Sequence, residues 1–260
     1  MTGNESPQSA SGCSEKSLKA RLEGSFGSGI IEGSSIAQEA VLRQLLGFLS
    51  PRRVLEIGTR QGISAALFAE YADEVLTVDI EKSPDQIKAL AREVWKYLGI
   101  SERVKPYLAK GEVGWQYNGD KKAFISEQDF DFAFIDGNHT WRDVQLDFQC
   151  VRKCGCVLFH DYKPATAAYR DCRNTRMQDV VDVIDSLRPR AYLIGSECSQ
   201  MAMWLARDSP HRLRPEAAGY LKTLPRTRPA LATAQWNLLQ HKARRRWKRL
   251  RGSIEKRIAR

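Results

Sequence analysis

No stretch of this 260-residue chain is apolar enough to cross a bilayer; nothing approaches the roughly 18 consecutive apolar residues a spanning helix needs. The opening MTGNESPQSASGCSEKS holds no apolar core, so a secretory signal is not expected and a cytoplasmic location is. The six cysteines (Cys13, Cys150, Cys154, Cys156, Cys172 and Cys198) form no CxxC pair. A thiolate zinc site of the usual spacing is therefore not expected, and the cluster at 150–156 reads as small buried thiols in a reducing compartment. There is no internal repeat, and no GxGxxG of the dinucleotide-binding kind.

Acid is scarce where base is abundant. Residues 207–260 carry 16 Lys+Arg against 3 Asp+Glu, a surplus of 13 in a chain whose net charge is +10, so the first 206 residues net −3. Such asymmetry marks an appendage with its own partner. The expected organisation is a disordered stretch over 1–24, a folded domain over 25–206, a Pro/Arg-rich linker over 207–233 and a basic amphipathic helix over 234–260. In that last segment Trp236, Leu239, Ala243, Trp247, Leu250, Ile254 and Ile258 recur at spacings of 3 or 4, one helical face backed by arginines.

Within the folded part, strands alternate with helices. Strands are expected over 53–57, 74–78, 104–108, 130–135, 156–159, 191–195 and 200–205. Helices are expected from Ser35 to Pro51 and over 63–71, 84–98, 141–151 and 165–187. Ser35 with Gln38 and Thr140 with Asp143 fit capping boxes, and Ser83 with Pro84 fits a helix start. The pattern predicts an α/β fold, a doubly wound, mostly parallel seven-stranded sheet. The last two strands, close in sequence, predict a terminal hairpin and an antiparallel edge.

Two stretches carry candidate chemistry. In VLEIGTRQGIS a buried strand runs into Gly58, and Gly62 opens a helix whose N-terminal N–H groups and dipole suit an anionic ligand. Arg60 stands where a diphosphate-binding turn wants glycine, which argues against a nucleotide-dependent oxidoreductase. The next strand ends in Asp79, about twenty residues after Gly58, where an acid can accept both hydroxyls of a ribose. Glu56, Gly58, Gly62, Ser64 and Asp79 are the candidate cofactor-binding residues. The second stretch, FDFAFIDGNHTW, is a core strand that ends in Asp136, Gly137, Asn138 and His139.

LEIGTRQGIS, the TVD strand end, FIDGNHTWRDVQLDF and CGCVLFHDY together resemble class I S-adenosylmethionine-dependent methyltransferases. The similar branch is that of small metal-dependent O-methyltransferases, the macrocin O-methyltransferase and cephalosporin-hydroxylase-like group. The resemblance covers 31–205 and implies a Rossmann-like methyltransferase fold with S-adenosylmethionine as cofactor. It places Asp136 beside the sulfonium and, with Asp161, at a divalent metal, Mg²⁺ or Mn²⁺. It places His139 at the general-base position. His160, beside Asp161, departs from the oxygen-rich pattern; as a ligand it shifts preference from Mg²⁺ toward Mn²⁺, Fe²⁺ or Zn²⁺, and otherwise the site binds metal weakly or not at all. Asp143 is expected only to cap, and Asp147 to lie on the surface. Glu112 is a candidate for the adenine, and Trp115, Tyr117, Tyr162 and Lys163 for the acceptor.

The expected partners are a small-molecule hydroxyl acceptor, a sugar or glycosylated metabolite, and an anionic membrane surface for residues 234–260, which would make the protein peripheral there. Packing of that segment on a second subunit, a grip on nucleic acid through its phosphates (with a nucleic-acid methyltransferase as the matching function), and docking on its own domain are the alternatives. Nucleic acid is not the expected acceptor: base methylators of this fold carry an Asn/Asp-Pro-Pro-aromatic stretch where this chain has IDGNH. A scaffold protein on a degenerate methyltransferase fold is the non-enzymatic alternative.

Overall fold

The structure is a computed structural model that describes residues 17–26, 38–80, 85–109, 119–162, 175–195, 201–207 and 215–227. Its seven strands are β1 (Arg53–Ile57), β2 (Glu74–Ile80), β3 (Val104–Ala109), β4 (Phe132–Ile135), β5 (Cys156–Phe159), β6 (Tyr192–Ile194) and β7 (Met201–Leu205). They form one sheet in the order β3-β2-β1-β4-β5-β7-β6. The first five run parallel; β7 is antiparallel to both β5 and β6. The hairpin is therefore present, but its returning strand inserts beside β5. The antiparallel strand is not the edge; β6 is.

The described helices are α1 (Leu18–Phe26), α2 (Glu39–Leu49), α3 (Ile63–Ala69), α4 (Asp85–Tyr97), α5 (Gly119–Glu127), α6 (Trp141–Val151), α7 (Thr175–Ser186) and α8 (Pro215–Thr223). None is long and apolar enough to cross a membrane. The sheet divides two cores by side-chain alternation. Val54, Phe132, Phe134 and Leu158 pack on one face with Leu42, Leu46 and Phe68. Leu55, Ala133, Ile135, Val157 and Phe159 pack on the other with Val144, Val151 and Ile184. Phe68, Phe132, Phe134 and Phe159 are fully buried, each stabilising the fold by roughly 1.5–3 kcal/mol of transfer energy.

Local chemistry accounts for several boundaries. Thr140, in extended conformation, accepts a hydrogen bond from Asp143 N at 3.3 Å and starts α6 as expected. Ser50 adopts φ 44° and donates its N–H to Leu46 O, closing α2 just before Pro51.

Three helices correct the expected organisation. α1 lies largely inside the stretch expected to be disordered; Leu18 and Leu22, one turn apart, are buried, and Leu18 N donates to Glu39 Oε1 at 2.8 Å. α8 lies inside the expected linker. Pro215 is its first residue, a place where proline's missing N–H costs nothing, and Tyr220 stacks on Phe48 at 5.0 Å. α5 has Ile125 buried and Phe124 stacked on Tyr107 at 3.7 Å. α2 begins at Glu39, later than expected, and Gln38 is its N-cap rather than a capping-box partner within the first turn. Ser35, Ser83, Pro84, residues 165–174 and the segment 234–260 lie outside the described residues.

Candidate functional site at the carboxyl ends of β1, β4 and β5

Chain order reverses between β1 and β4: β2 and β3 extend the sheet one way, β4 and β5 the other. In open parallel sheets this switch point opens a crevice at the carboxyl ends of the strands. Backbone bonds tie the three strand ends together there. Asp136 N donates to Ile57 O at 2.8 Å, and His160 N to Ile135 O at 3.0 Å. Gly58, at φ 106°, runs so close to β4 that an added Cβ would lie 2.1 Å from Asp136 O. A glycine is needed on both counts.

The β1 turn lies against Asp79 on β2 and Trp95 on α4. Asp79 Oδ2 accepts from Arg60 N at 2.9 Å, and its Oδ1 from Ile80 N at 2.7 Å. Asp79 is half-buried and borders a cavity of about 90 Å³ with Thr59, Arg60, Trp95 and Leu108. Gly62 caps α3 at φ 71°, and its carbonyl accepts from Trp95 Nε1 at 2.8 Å; a side chain there would strike the indole. Gly62 is thus explained by packing as much as by any ligand.

Glu56 differs from expectation. Its carboxyl is fully buried and accepts from Ser64 Oγ and Thr77 Oγ1, with Thr59 Oγ1 2.6 Å from Thr77 Oγ1. Burial pushes it up to about 8, against the two hydroxyl hydrogen bonds that oppose the rise. Glu56 holds the turn from within and presents no free face to a cofactor. Ser64, buried, is oriented by it.

The second predicted cluster assembles in full. His139 Nε2 lies 3.2 Å from Asp161 Oδ2 and 3.7 Å from Asp136 Oδ1. His160 Nδ1 lies 3.2 Å from both Asp136 Oδ1 and Asp161 Oδ2. His160 is deeply buried, with its ring edge-on to Phe134, and neither ring nitrogen makes a hydrogen bond of good geometry. Burial would lower the His160 imidazole, but the Asp136 and Asp161 carboxylates outweigh it and raise the group to about 10. Burial likewise opposes charge on Asp136, yet His160 and His139 hold it below the ordinary carboxylate range. Asp161 sits at φ 55°, a left-handed conformation uncommon outside glycine and concentrated at functional sites.

Asp136, His160 and Asp161 each present one donor atom, all within 4.8 Å of one another. Two carboxylates and an imidazole nitrogen without a hydrogen bond fit a divalent cation. The loop bearing His139 is held by Asn138 Nδ2, which donates to Asp143 Oδ2 at 2.8 Å, and by Trp141 N, which donates to Asp179 Oδ2 at 3.0 Å. Asp143 therefore fixes the loop as well as capping α6.

Two further expectations change. Asp147 is not a surface acid; it is 2% exposed, 3.2 Å from Lys121 Nζ, and packed behind Gly137. Its partner comes from α5, a helix the sequence pattern did not reveal. Tyr162 is buried and donates its hydroxyl to Asp185 Oδ1 at 2.8 Å. Burial also raises Asp185, to about 6, despite that hydrogen bond. Cys150, Cys154 and Cys156 are buried thiols; burial pushes Cys154 up to about 12 and Cys156 well above its ordinary value. Glu112, Trp115, Tyr117 and Lys163 lie outside the described residues.

Comparison with known proteins points the same way. Residues 55–162 match a family described as methyltransferase domain. An O-methyltransferase from Bacillus cereus, solved in complex with SAH, superposes with a TM-score of 0.52 at 17% identity, covering 74% of this chain and 91% of that one. A putative caffeoyl-CoA O-methyltransferase from Staphylococcus aureus gives 0.55 at 16% identity, covering 74% and 93%. Identities this low speak for the fold. Among curated proteins, a protein-L-isoaspartate O-methyltransferase of Shewanella loihica is 33% identical over 97 residues. That match covers 36% of this chain and 44% of the relative, so the chain spans less than half the length of the curated relatives it matches. Strand order and superposition agree on the fold: this chain has the Rossmann-like fold of the class I methyltransferases, and its residues 55–162 match the methyltransferase-domain family.

Proposed function

We propose that the protein moves a methyl group from S-adenosylmethionine to a hydroxyl oxygen of a small molecule, a sugar or glycosylated metabolite. The observation that carries this reading is the meeting of Asp136, His139, His160 and Asp161 at two adjacent strand ends beside the Gly58 turn. Asp79 takes the ribose hydroxyls, and the Gly58–Ser64 turn takes the methionine end. His139 receives the hydroxyl proton while the oxygen attacks the methyl carbon and the carbon–sulfur bond breaks. Asp161, 3.2 Å from its Nε2, keeps the ring turned toward the site. Asp136, His160 and Asp161 would hold a divalent cation, which when bound supplies Lewis-acid polarisation of the acceptor oxygen. Alignment of that oxygen with the methyl–sulfur bond supplies much of the rate.

The curated relatives act on isoaspartyl groups, judged by their names. A carboxylate acceptor is already ionised at neutral pH and needs neither a base nor a cation. A histidine among paired carboxylates suits a hydroxyl better. Calorimetric titration with S-adenosylmethionine tests the cofactor: micromolar binding lost in Asp79→Ala supports the reading, and no binding in any divalent-metal condition sinks it. Residues 234–260, with arginines behind a Trp-bearing apolar face, favour attachment to an anionic membrane surface and hence a glycolipid among the acceptors. Co-sedimentation with vesicles containing phosphatidylserine, lost when residues 234–260 are removed, is the expected result.

A further inference from the structure

We infer that the Asp136–His160–Asp161 site selects a first-row transition cation, of the Mn²⁺ to Zn²⁺ series, over Mg²⁺. The inference rests on reading these residues as the reaction centre and concerns the cation that centre takes. Three observations carry it. The first is the donor set. Mg²⁺ takes oxygen ligands and keeps its waters, whereas imidazole nitrogen suits Mn²⁺ poorly, and Fe²⁺, Co²⁺ and Zn²⁺ progressively better.

The second is the placement of His160. It is 2% exposed and its ring is fixed edge-on to Phe134 at 5.9 Å, so it has no room to swing away and leave a water in its place. A nitrogen donor so confined is part of the site.

The third is the distance pattern. His160 Nδ1 is equidistant, at 3.2 Å, from Asp136 Oδ1 and Asp161 Oδ2, and makes a proper hydrogen bond with neither. At metal–ligand bonds near 2.1 Å, neighbouring ligands stand about 3.0–3.4 Å apart in octahedral or tetrahedral sites. These two spacings match those of donors that share one cation. Asp161, which carries one of these carboxylates, sits in the left-handed region at φ 55°.

The test uses the full chain, freed of metal by chelation and titrated separately with Mg²⁺, Mn²⁺ and Co²⁺ by calorimetry, with Co²⁺ also followed by its visible absorption. The expected result is binding of Co²⁺ at least about 100-fold tighter than of Mg²⁺, with Mn²⁺ between. In His160→Asn, which replaces nitrogen by an amide oxygen, the Co²⁺/Mg²⁺ ratio falls at least tenfold and the Co²⁺ bands shift. Pulsed electron spin resonance of the Mn²⁺-loaded wild type is expected to show coupling to an imidazole nitrogen, a readout that does not depend on how the variant folds. Mg²⁺ binding as tight as Co²⁺, a ratio unchanged by the substitution, a missing nitrogen coupling, or no metal binding at all would each overturn the inference. Titration with S-adenosylmethionine separates the two readings. Cofactor binding without metal selectivity overturns this inference alone; selective metal binding without cofactor binding overturns methyl transfer and leaves the cation assignment in place.

Discussion

His139 and Asp161 stand 22 positions apart in the chain, on the loops that follow two different strands, yet His139 Nε2 lies 3.2 Å from Asp161 Oδ2. The parallel pairing of β4 with β5 makes them neighbours, since Ile135 lies opposite Phe159 and both strands end there. In the proposed reaction the pair gives the site a proton acceptor whose ring is held from across the sheet. His139→Gln is expected to lower kcat by roughly 10²–10⁴-fold, the usual range for a positioned acid–base group. Its S-adenosylmethionine affinity should change less than threefold. Steady-state kinetics with calorimetry of the cofactor would check both.

Glu56 predicts a pH dependence of stability. Its carboxyl is raised to about 8 in the fold and titrates near 4.5 in the unfolded chain. Between these values the folded state binds the extra proton, so stability falls as pH rises from about 5 to 8 and levels off above. Glu56→Gln should flatten that slope. Thermal unfolding from pH 5 to 9, where each kcal/mol moves Tm by about 2–4 °C, would show it.

Gly58→Ala should cost at least about 2 kcal/mol, because φ 106° is closed to alanine without strain and the new Cβ would meet Asp136 O. The same change pushes Asp136 off its place. Urea unfolding should report the loss of stability, and metal titration a weakened site.

Asp147→Asn removes the carboxylate beside Lys121, which is itself only 14% exposed. An expected loss of about 1–3 kcal/mol follows from an under-compensated, largely buried ammonium. Lys121→Met together with Asp147→Leu should recover a good part of it, measured by urea unfolding in a double-mutant cycle.

Cys150, Cys154 and Cys156 should resist alkylation in the native protein at pH 8 and react fully in urea. All three are buried, and burial raises Cys154 and Cys156 far above the range in which a thiolate forms. Mass spectrometry of iodoacetamide-treated protein would locate the labels.

The parts legible in the sequence are those where local signals agreed. α6 begins and β5 runs where the spacing says, because a threonine cap and an unbroken buried run leave one reading. The site acids and histidines lie at strand ends and follow from the strands. What was not legible depends on contacts distant in sequence. α5 carries Ala123, Phe124 and Ile125 side by side, a run without helical spacing, and its anchor is Tyr107 on β3. Prolines hid α8, though one of them begins it. Asp147 read as surface because nothing local announces the ammonium that meets it. Glu56 read as a ligand group because the hydroxyls that enclose it come from α3 and β2.

The sheet also sets a ruler. Adjacent strands lie about 4.8 Å apart, so the ends of β1 and β5, with β4 between them, stand about 10 Å apart. In the proposed reaction the cofactor-binding turn hangs from one mark, and Asp136, His139 and Asp161 from the next two. That distance is set by backbone hydrogen bonds between the strands, so exchanges of side chains that clear the backbone leave it unchanged. Changes in the segments that follow these strands can therefore recast which molecule is admitted while the strand ends that bear Gly58, Asp136 and Asp161 keep their spacing.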